Sequence, residues 1–136
     1  MGKPRLKVTF RIPPYVSPRE VWRRRIHAAA ARAVRESGVE YGPKDALELG
    51  VTLYLRGRAL DLHDVDNRLK DLMDALQGHV GGTSKKRRAL AALIPNDRQV
   101  FRVTVEKLAP PKQSRGLGHV VIASYAAARR RRTGGG

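Results

Sequence analysis

Two aspartates and a lysine near the middle of the chain have the types and spacing of a group that could bind a cation. Asp64 and Asp66 are two positions apart, and Lys70 follows four positions after Asp66. Neighbouring carboxylates repel one another, so they are normally offset by Lys or Arg side chains, by a bound cation or by solvent. The crowding needs a reason because only 12 of the 136 residues are acidic and five of them lie within positions 61–76.

A helix is predicted to begin at Asp66 and to position these side chains. It would bury a stripe of apolar residues at helical spacing, which comprises Leu69, Leu72, Met73 and Leu76. Spacing alone also allows a purely structural interpretation, in which Asp66 or Asn67 is the N-cap. Lys70 would then form ion pairs with Asp66 and Asp74 on the helix surface, and each pair would stabilise the helix by about 0.3–0.5 kcal/mol. Both interpretations stay open at this level.

The composition indicates a nucleic-acid partner. The chain has 28 Lys and Arg residues, a formal net charge of +16 and only 5% aromatic residues, which is typical of a protein that binds a polyanion. The absence of cysteine excludes disulfides and thiolate metal sites and agrees with a reducing compartment. Because no signal-like segment or apolar run of about 20 residues is found, we expect a cytoplasmic, nucleoid-associated protein with no membrane partner.

Period-two alternation and capping signals predict the remaining elements. Strands are expected at residues 3–12, 46–56, 99–107 and 118–125. A helix is expected from Ser17 as N-cap to Ser37, with Gly38 as its stop. We expect the last strand to pair with the third. The predicted fold is α+β, a small mixed β-sheet with two helices packed on it, in a single domain at residues 1–128 followed by a basic, disordered tail at 129–136.

The central motif resembles that of a known nuclease family. Asp64-x-Asp66-Asn67-x-x-Lys70 continues with Asp74 and Leu76, and the segment at 96–100, Asn-Asp-Arg-Gln-Val, leads into a strand. In this arrangement the chain is similar to the RusA family of Holliday-junction resolvases. The resemblance covers most of the chain coarsely and is specific only in these two elements.

The resemblance implies an activity and a set of site residues. The implied catalytic residues are Asp64, Asp66, Lys70 and Asp97, and the three aspartates would hold Mg²⁺, with Mn²⁺ as a substitute. Carboxylate ligands without cysteine suit such a hard ion. The family acts as a symmetric homodimer that places paired nicks in four-way DNA junctions, and no small-molecule cofactor is expected. This chain departs from the family at Asn96, where a second acid often stands, and in the greater length of the loop at 77–95.

Clustered cations are the expected DNA contacts. Arg56 and Arg58 lie at the exit of the second strand, and the glycine-containing loop carries Lys85, Lys86, Arg87 and Arg88. Four consecutive cations suit a clamp on the phosphate backbone. A long loop of this composition could equally be disordered and functionally neutral.

Two other functions fit the same sequence. One is a noncatalytic DNA- or RNA-binding protein in which the acidic residues are caps and surface pairs. The other is a RusA-like nuclease that acts on other branched nucleic acids. Cleavage of a synthetic four-way junction with Mg²⁺ or Mn²⁺ would separate the three.

Overall fold

Alternating apolar residues place four strands in one mixed sheet, with two long helices packed on one of its faces. The structure is a computed structural model, and it describes residues 7–55, 57–62, 64–79, 90–114 and 117–125. The elements in chain order are β1 (Val8–Ile12), α1 (Arg19–Ser37), β2 (Leu47–Tyr54), α2 (Arg58–Leu62), α3 (Val65–Leu76), β3 (Val100–Leu108) and β4 (Gly118–Ser124). This confirms the predicted α+β class. The short helix α2 was not predicted, and the predicted tail at 129–136 lies outside the described residues.

The order of the strands differs from the prediction. It is β1-β4-β2-β3, with β2 and β3 parallel and the other two pairs antiparallel. The last strand therefore pairs with β1 and β2, and the prediction that it pairs with the third strand was wrong. The physical reason is burial, because Val120 and Ile122 of β4 are fully buried, whereas β3 exposes most of its side chains. The more apolar strand takes the central position.

The core lies between the sheet and the two long helices. Leu47, Leu49 and Val51 of β2 point to this core on alternate positions, as the period-two pattern predicted. From α1, Trp22 and Ile26 are buried against them at helical spacing. No helix within the described ranges is long and apolar enough to cross a membrane.

One predicted helix end is confirmed and one is corrected. Gly38 follows α1 with a φ of 74° and its backbone N–H donates to the carbonyl of Val34, as a left-handed C-terminal stop. At the other end the N-cap is Pro18 and not Ser17, and no side chain caps the helix. The extended backbone of Pro18, with ψ at 161°, leaves Ser17 outside the first turn.

Gly118 allows the close approach of β4 to its neighbours, and its replacement is the first testable change. A Cβ atom at Gly118 would collide with the carbonyl oxygen of Thr52, whereas one at Gly50 in the adjacent strand would meet nothing within 4 Å. We expect Gly118→Ala to lower the free energy of unfolding by about 1–3 kcal/mol, because the clash is with backbone that cannot rotate away. Urea unfolding followed by circular dichroism measures this change in the free energy of unfolding. Gly50→Ala is the control and should change stability by less than about 0.5 kcal/mol; equal losses in both variants would contradict the steric explanation.

Candidate active site

Asp64 and Asp66 lie together at the start of α3, where both are exposed. Asp64 is the N-cap residue, with an extended backbone, and its carbonyl oxygen accepts the hydrogen bond from the backbone N–H of Arg68 at 3.2 Å. Asp66 is already in the first helical turn, so the helix begins one residue earlier than predicted. The two carboxylates are therefore presented by the N-cap residue and by a residue of the first helical turn.

Asn67 connects the two carboxylates, a role that the sequence did not assign to it. Its side-chain Nδ2 donates to Oδ2 of Asp64 at 3.3 Å, and its backbone N–H donates to Oδ1 of Asp66 at 3.1 Å. Both contacts are weak and exposed, so each carboxylate keeps free lone pairs. The signal in the sequence was the motif itself, which places an asparagine directly after the second aspartate.

The structural interpretation of the motif is not supported by these contacts. Asp64 occupies the N-cap position, yet its side chain makes no capping hydrogen bond to the helix. Among the described residues, Lys70 forms no ion pair with Asp66 or with Asp74. Lys70 is exposed one turn after Asp66 on the same side of α3. These carboxylates and this ammonium group are thus available to a ligand.

Asp97 lies in a different, well-anchored turn. It is the first residue of a single 3₁₀ turn, Asp97–Gln99, that is capped by Asn96, whose Oδ1 accepts from the backbone N–H of Arg98 at 2.9 Å. The side chain of Gln99 is buried and its Nε2 donates to the carbonyl oxygens of Gly42 and Asp45. This buried amide explains why a glutamine precedes the strand. The Asp97 side chain itself is exposed.

The loop that receives Gln99 also holds Tyr41. The side chain of Tyr41 is buried, and burial, followed by the negative charge of Asp45, raises the pKa of its phenol above the usual range. Tyr41 therefore stays neutral at any physiological pH and acts as part of the core.

Within one chain the structure does not bring Asp97 to Asp64 and Asp66. Val100, just after Asp97, pairs with Leu47 at the beginning of β2, whereas α3 starts beyond the end of β2. With eight residues, β2 has ends that are about 23 Å apart. Among the described residues, no group of three or more His, Cys, Asp or Glu side chains could hold a metal ion. The expectation that the three aspartates share one pocket is therefore not met inside a single chain, because the parallel pairing of β2 and β3 places them at opposite ends of the sheet.

A cleft opens beside the carboxylate of Asp64. It has a volume of about 350 Å³ and is lined by Tyr15, Leu62, Asp64, Asn67 and Arg68. Leu62, the last residue of α2, is 68% exposed at its edge. An apolar side chain, an aromatic ring and a carboxylate thus border one space that is open to solvent.

A buried cluster of charges holds α3 against α1 below this cleft. Asp71 is fully buried, with its Oδ1 3.0 Å from Nε and Nη2 of Arg23 and 3.2 Å from Nε of Arg19. Its Oδ2 lies 3.4 Å from Nη2 of Arg68, whose guanidinium carbon stacks 3.9 Å from the ring centroid of Tyr15. The cluster fixes the first turns of α3, and therefore its two carboxylates, relative to α1.

The predicted DNA contacts can be placed only in part. Arg58 is exposed at the start of α2, close in sequence to the carboxylates. The other five predicted contacts, Arg56, Lys85, Lys86, Arg87 and Arg88, lie outside the described residues. In α1, Arg23 is buried by Asp71, while Arg24 and Arg25 are exposed.

Comparison with known proteins adds no assignment. No family model matches this chain, and no curated protein matches it.

Proposed function

We propose that this protein is a metal-dependent endonuclease that cuts branched DNA, with four-way junctions as its substrate. The observation that carries this proposal is the pair of exposed carboxylates at the start of α3, Asp64 and Asp66. Within the described residues they form no ion pair, and the hydrogen bonds they accept come from Asn67. They stand on a protein with a formal net charge of +16. An acidic site on a strongly basic protein suits a bound divalent cation that acts on the phosphates of a nucleic acid.

The donor atoms present at this site fit Mg²⁺ or Mn²⁺. Mg²⁺ in enzymes of phosphate chemistry is commonly held by one or two carboxylates, with water and substrate phosphate as its other ligands, and Asp64 and Asp66 would provide these two. When bound, the ion supplies a Lewis acid for the scissile phosphate and a water of lowered pKa. Lys70, exposed one turn further along α3, would place positive charge near the same phosphate.

Asp97 requires a second copy of the chain if it is to join this site. The separation of the two ends of the sheet prevents Asp97 from reaching Asp64 and Asp66 of its own chain. A two-fold dimer, the commonest symmetric assembly, can bring Asp97 of one chain to the α3 start of the other. The proposed enzyme is therefore a homodimer with two composite sites, which would deliver two symmetric cuts.

The same separation favours the competing function, a noncatalytic nucleic-acid binder. If Asp97 serves only to begin its 3₁₀ turn, two exposed carboxylates remain, and they could simply be solvated. Cleavage assays are the way to decide between the two functions.

Cleavage of a synthetic four-way junction, labelled on each strand in turn, tests the proposal. With Mg²⁺ or Mn²⁺ we expect paired symmetric nicks, and no nicks in EDTA. Asp66→Asn should lower the rate at least about 100-fold, since loss of a metal ligand removes several kcal/mol of transition-state stabilisation, while junction binding should persist or tighten. Asp61→Asn removes the same charge from an exposed position on α2 and should leave cleavage unchanged.

Each other outcome points to a different function. Binding without cleavage under any divalent ion would support the noncatalytic binder. Equal cutting of linear duplex, flaps and RNA would support a nuclease of broader substrate range.

A further inference from the structure

The cleft beside Asp64 has the size and the lining of a pocket for a small planar ligand. Its volume of about 350 Å³ lies within the range of ligand pockets, roughly 300–1,000 Å³. Leu62 and the ring of Tyr15 provide apolar surface, while Asn67 and Arg68 provide an amide and a guanidinium group. Apolar walls with a few polar groups suit an aromatic ligand that also carries hydrogen-bonding atoms. An unstacked nucleobase is such a ligand.

Leu62 is an unusual residue to leave in solvent beside a carboxylate site. It is 68% exposed, more than any other large apolar side chain in the described part of the chain. Proteins that deform nucleic acids insert exposed apolar side chains, leucine among them, between stacked bases. The formal net charge of +16 would bring a polyanion to this surface. Leu62 therefore has the chemistry and the place of a wedge between bases.

Arg68 is an independent sign that the cleft takes a ligand. Its side chain lines the cleft although it is only 10% exposed. Its Nη2 lies 3.4 Å from Asp71, while its Nε has no hydrogen-bond partner among the described residues. Buried polar groups are almost always paired. A ligand with acceptor atoms would complete the hydrogen bonding of this guanidinium, and the carbonyl oxygens and ring nitrogens of bases are such acceptors.

We propose that the cleft receives one unstacked base of the DNA, beside the phosphate that is to be cut, and that Leu62 fills the place the base leaves in the stack. This inference rests on the proposed function and names what the site selects, a base pair that opens easily. Taking a base out of the stack costs least where the base is already poorly paired. Leu62 is thus a positioning residue, which acts on the DNA and not on the cleavage chemistry.

Fluorescence of 2-aminopurine tests the base pocket without any cleavage. This base analogue becomes brighter when it is unstacked, and it is placed in turn at each position that flanks the branch point of a four-way junction. With saturating protein in EDTA, the wild type should raise the fluorescence at one or more positions. Leu62→Ala should lose at least about half of that rise, because alanine is too short to hold the stack open.

Two variants control for the loss of an exposed apolar side chain. Leu62→Met keeps a long apolar side chain at the same position and should retain the fluorescence rise. Leu108→Ala removes a leucine that is 42% exposed in β3 and does not line the cleft, so it should also retain the rise. Circular dichroism checks that each variant is folded.

Cleavage of two junctions gives a second readout of the same role. On a fully paired junction, Leu62→Ala should lower the single-turnover rate about tenfold and leave the Kd unchanged. On a junction with a mismatched pair at the branch point, it should cut about as fast as the wild type, because the mismatch has already loosened the stack. An equal loss of rate on both junctions would show a merely structural role and overturn the inference.

The outcomes separate this inference from the proposed function. A junction that is bound and cut without any rise in fluorescence, or with a rise that Leu62→Ala retains, would overturn the base pocket and keep the nuclease. A rise that depends on Leu62, without cleavage under any divalent ion, would keep the base pocket and remove the nuclease. A protein that binds no junction would overturn both.

Discussion

Mixed dimers of Asp66→Asn and Asp97→Asn should recover cleavage that neither variant has alone. Each homodimer would carry the same defect in both of its sites. In a mixed dimer with composite sites, one site takes both defects, and the other takes Asp66 and Asp97 from the chains that retain them. Random mixing should therefore restore about a quarter of all sites, because half of the dimers are mixed and each has one intact site of two.

The products carry further information. A mixed dimer with one intact site should nick a single strand of the junction, whereas the wild type should nick two opposed strands. Coexpression of differently tagged chains and sequential affinity purification would isolate the mixed dimer. Denaturing gels of junctions labelled on each strand would then count the nicks.

A matched mixture separates complementation from simple exchange of subunits. Asp64 and Asp66 lie in the same chain, so a mixed dimer of Asp64→Asn and Asp66→Asn leaves no site intact and should stay inactive. If purified mixed dimers of Asp66→Asn and Asp97→Asn are equally inactive, Asp97 is not supplied by the partner. If Asp97→Asn alone cuts like the wild type, Asp97 is not part of the site.

The sequence predicted the elements near the candidate site better than it predicted their assembly. Alternation of apolar residues along β2 and β3 located both strands. In β2 the alternation matches one buried face, whereas β3 keeps the alternation in its sequence although most of its side chains are exposed. Gly38 located the end of α1 because a left-handed residue there strongly favours glycine. The motif located α3 to within one residue.

What the sequence could not give was decided by contacts between distant segments. The parallel pairing of β2 with β3 sets Asp97 far from Asp64, and no local pattern specifies which strands become neighbours. Asp71 is one of the five acidic residues at positions 61–76, and only the packing of α1 shows that it is buried among three arginines. The position of Asp71 could have suggested this, because it adjoins Leu72 of the apolar stripe and lies three positions after Arg68, where an ion pair within the helix can form.

Asp71→Ala should have the largest effect on stability of any single change in the described part of the chain. Its side chain is fully buried, and its removal would leave the buried guanidinium groups of Arg23 and Arg68 without their shared partner. Breaking a buried ion pair from one side costs about 3–5 kcal/mol, since an uncompensated charge stays behind. Arg19, whose side chain is 42% exposed, would lose little because solvent screens it.

Urea unfolding of Asp71→Ala, Asp71→Asn and Asp74→Ala would identify the source of this loss. Asp71→Asn keeps the volume and removes only the charge, so it should show most of the destabilisation. Asp74 pairs with Arg23 at 3.2 Å but is 27% exposed, and its removal should cost about 1 kcal/mol. If Asp71→Asn is as stable as the wild type, the cluster is held by packing and not by charge. The double variant Arg68→Met with Asp71→Leu should recover part of the stability that Asp71→Ala loses. Exchanging a buried ion pair for apolar groups is often neutral or stabilising. No recovery would show that Arg23 alone requires the carboxylate.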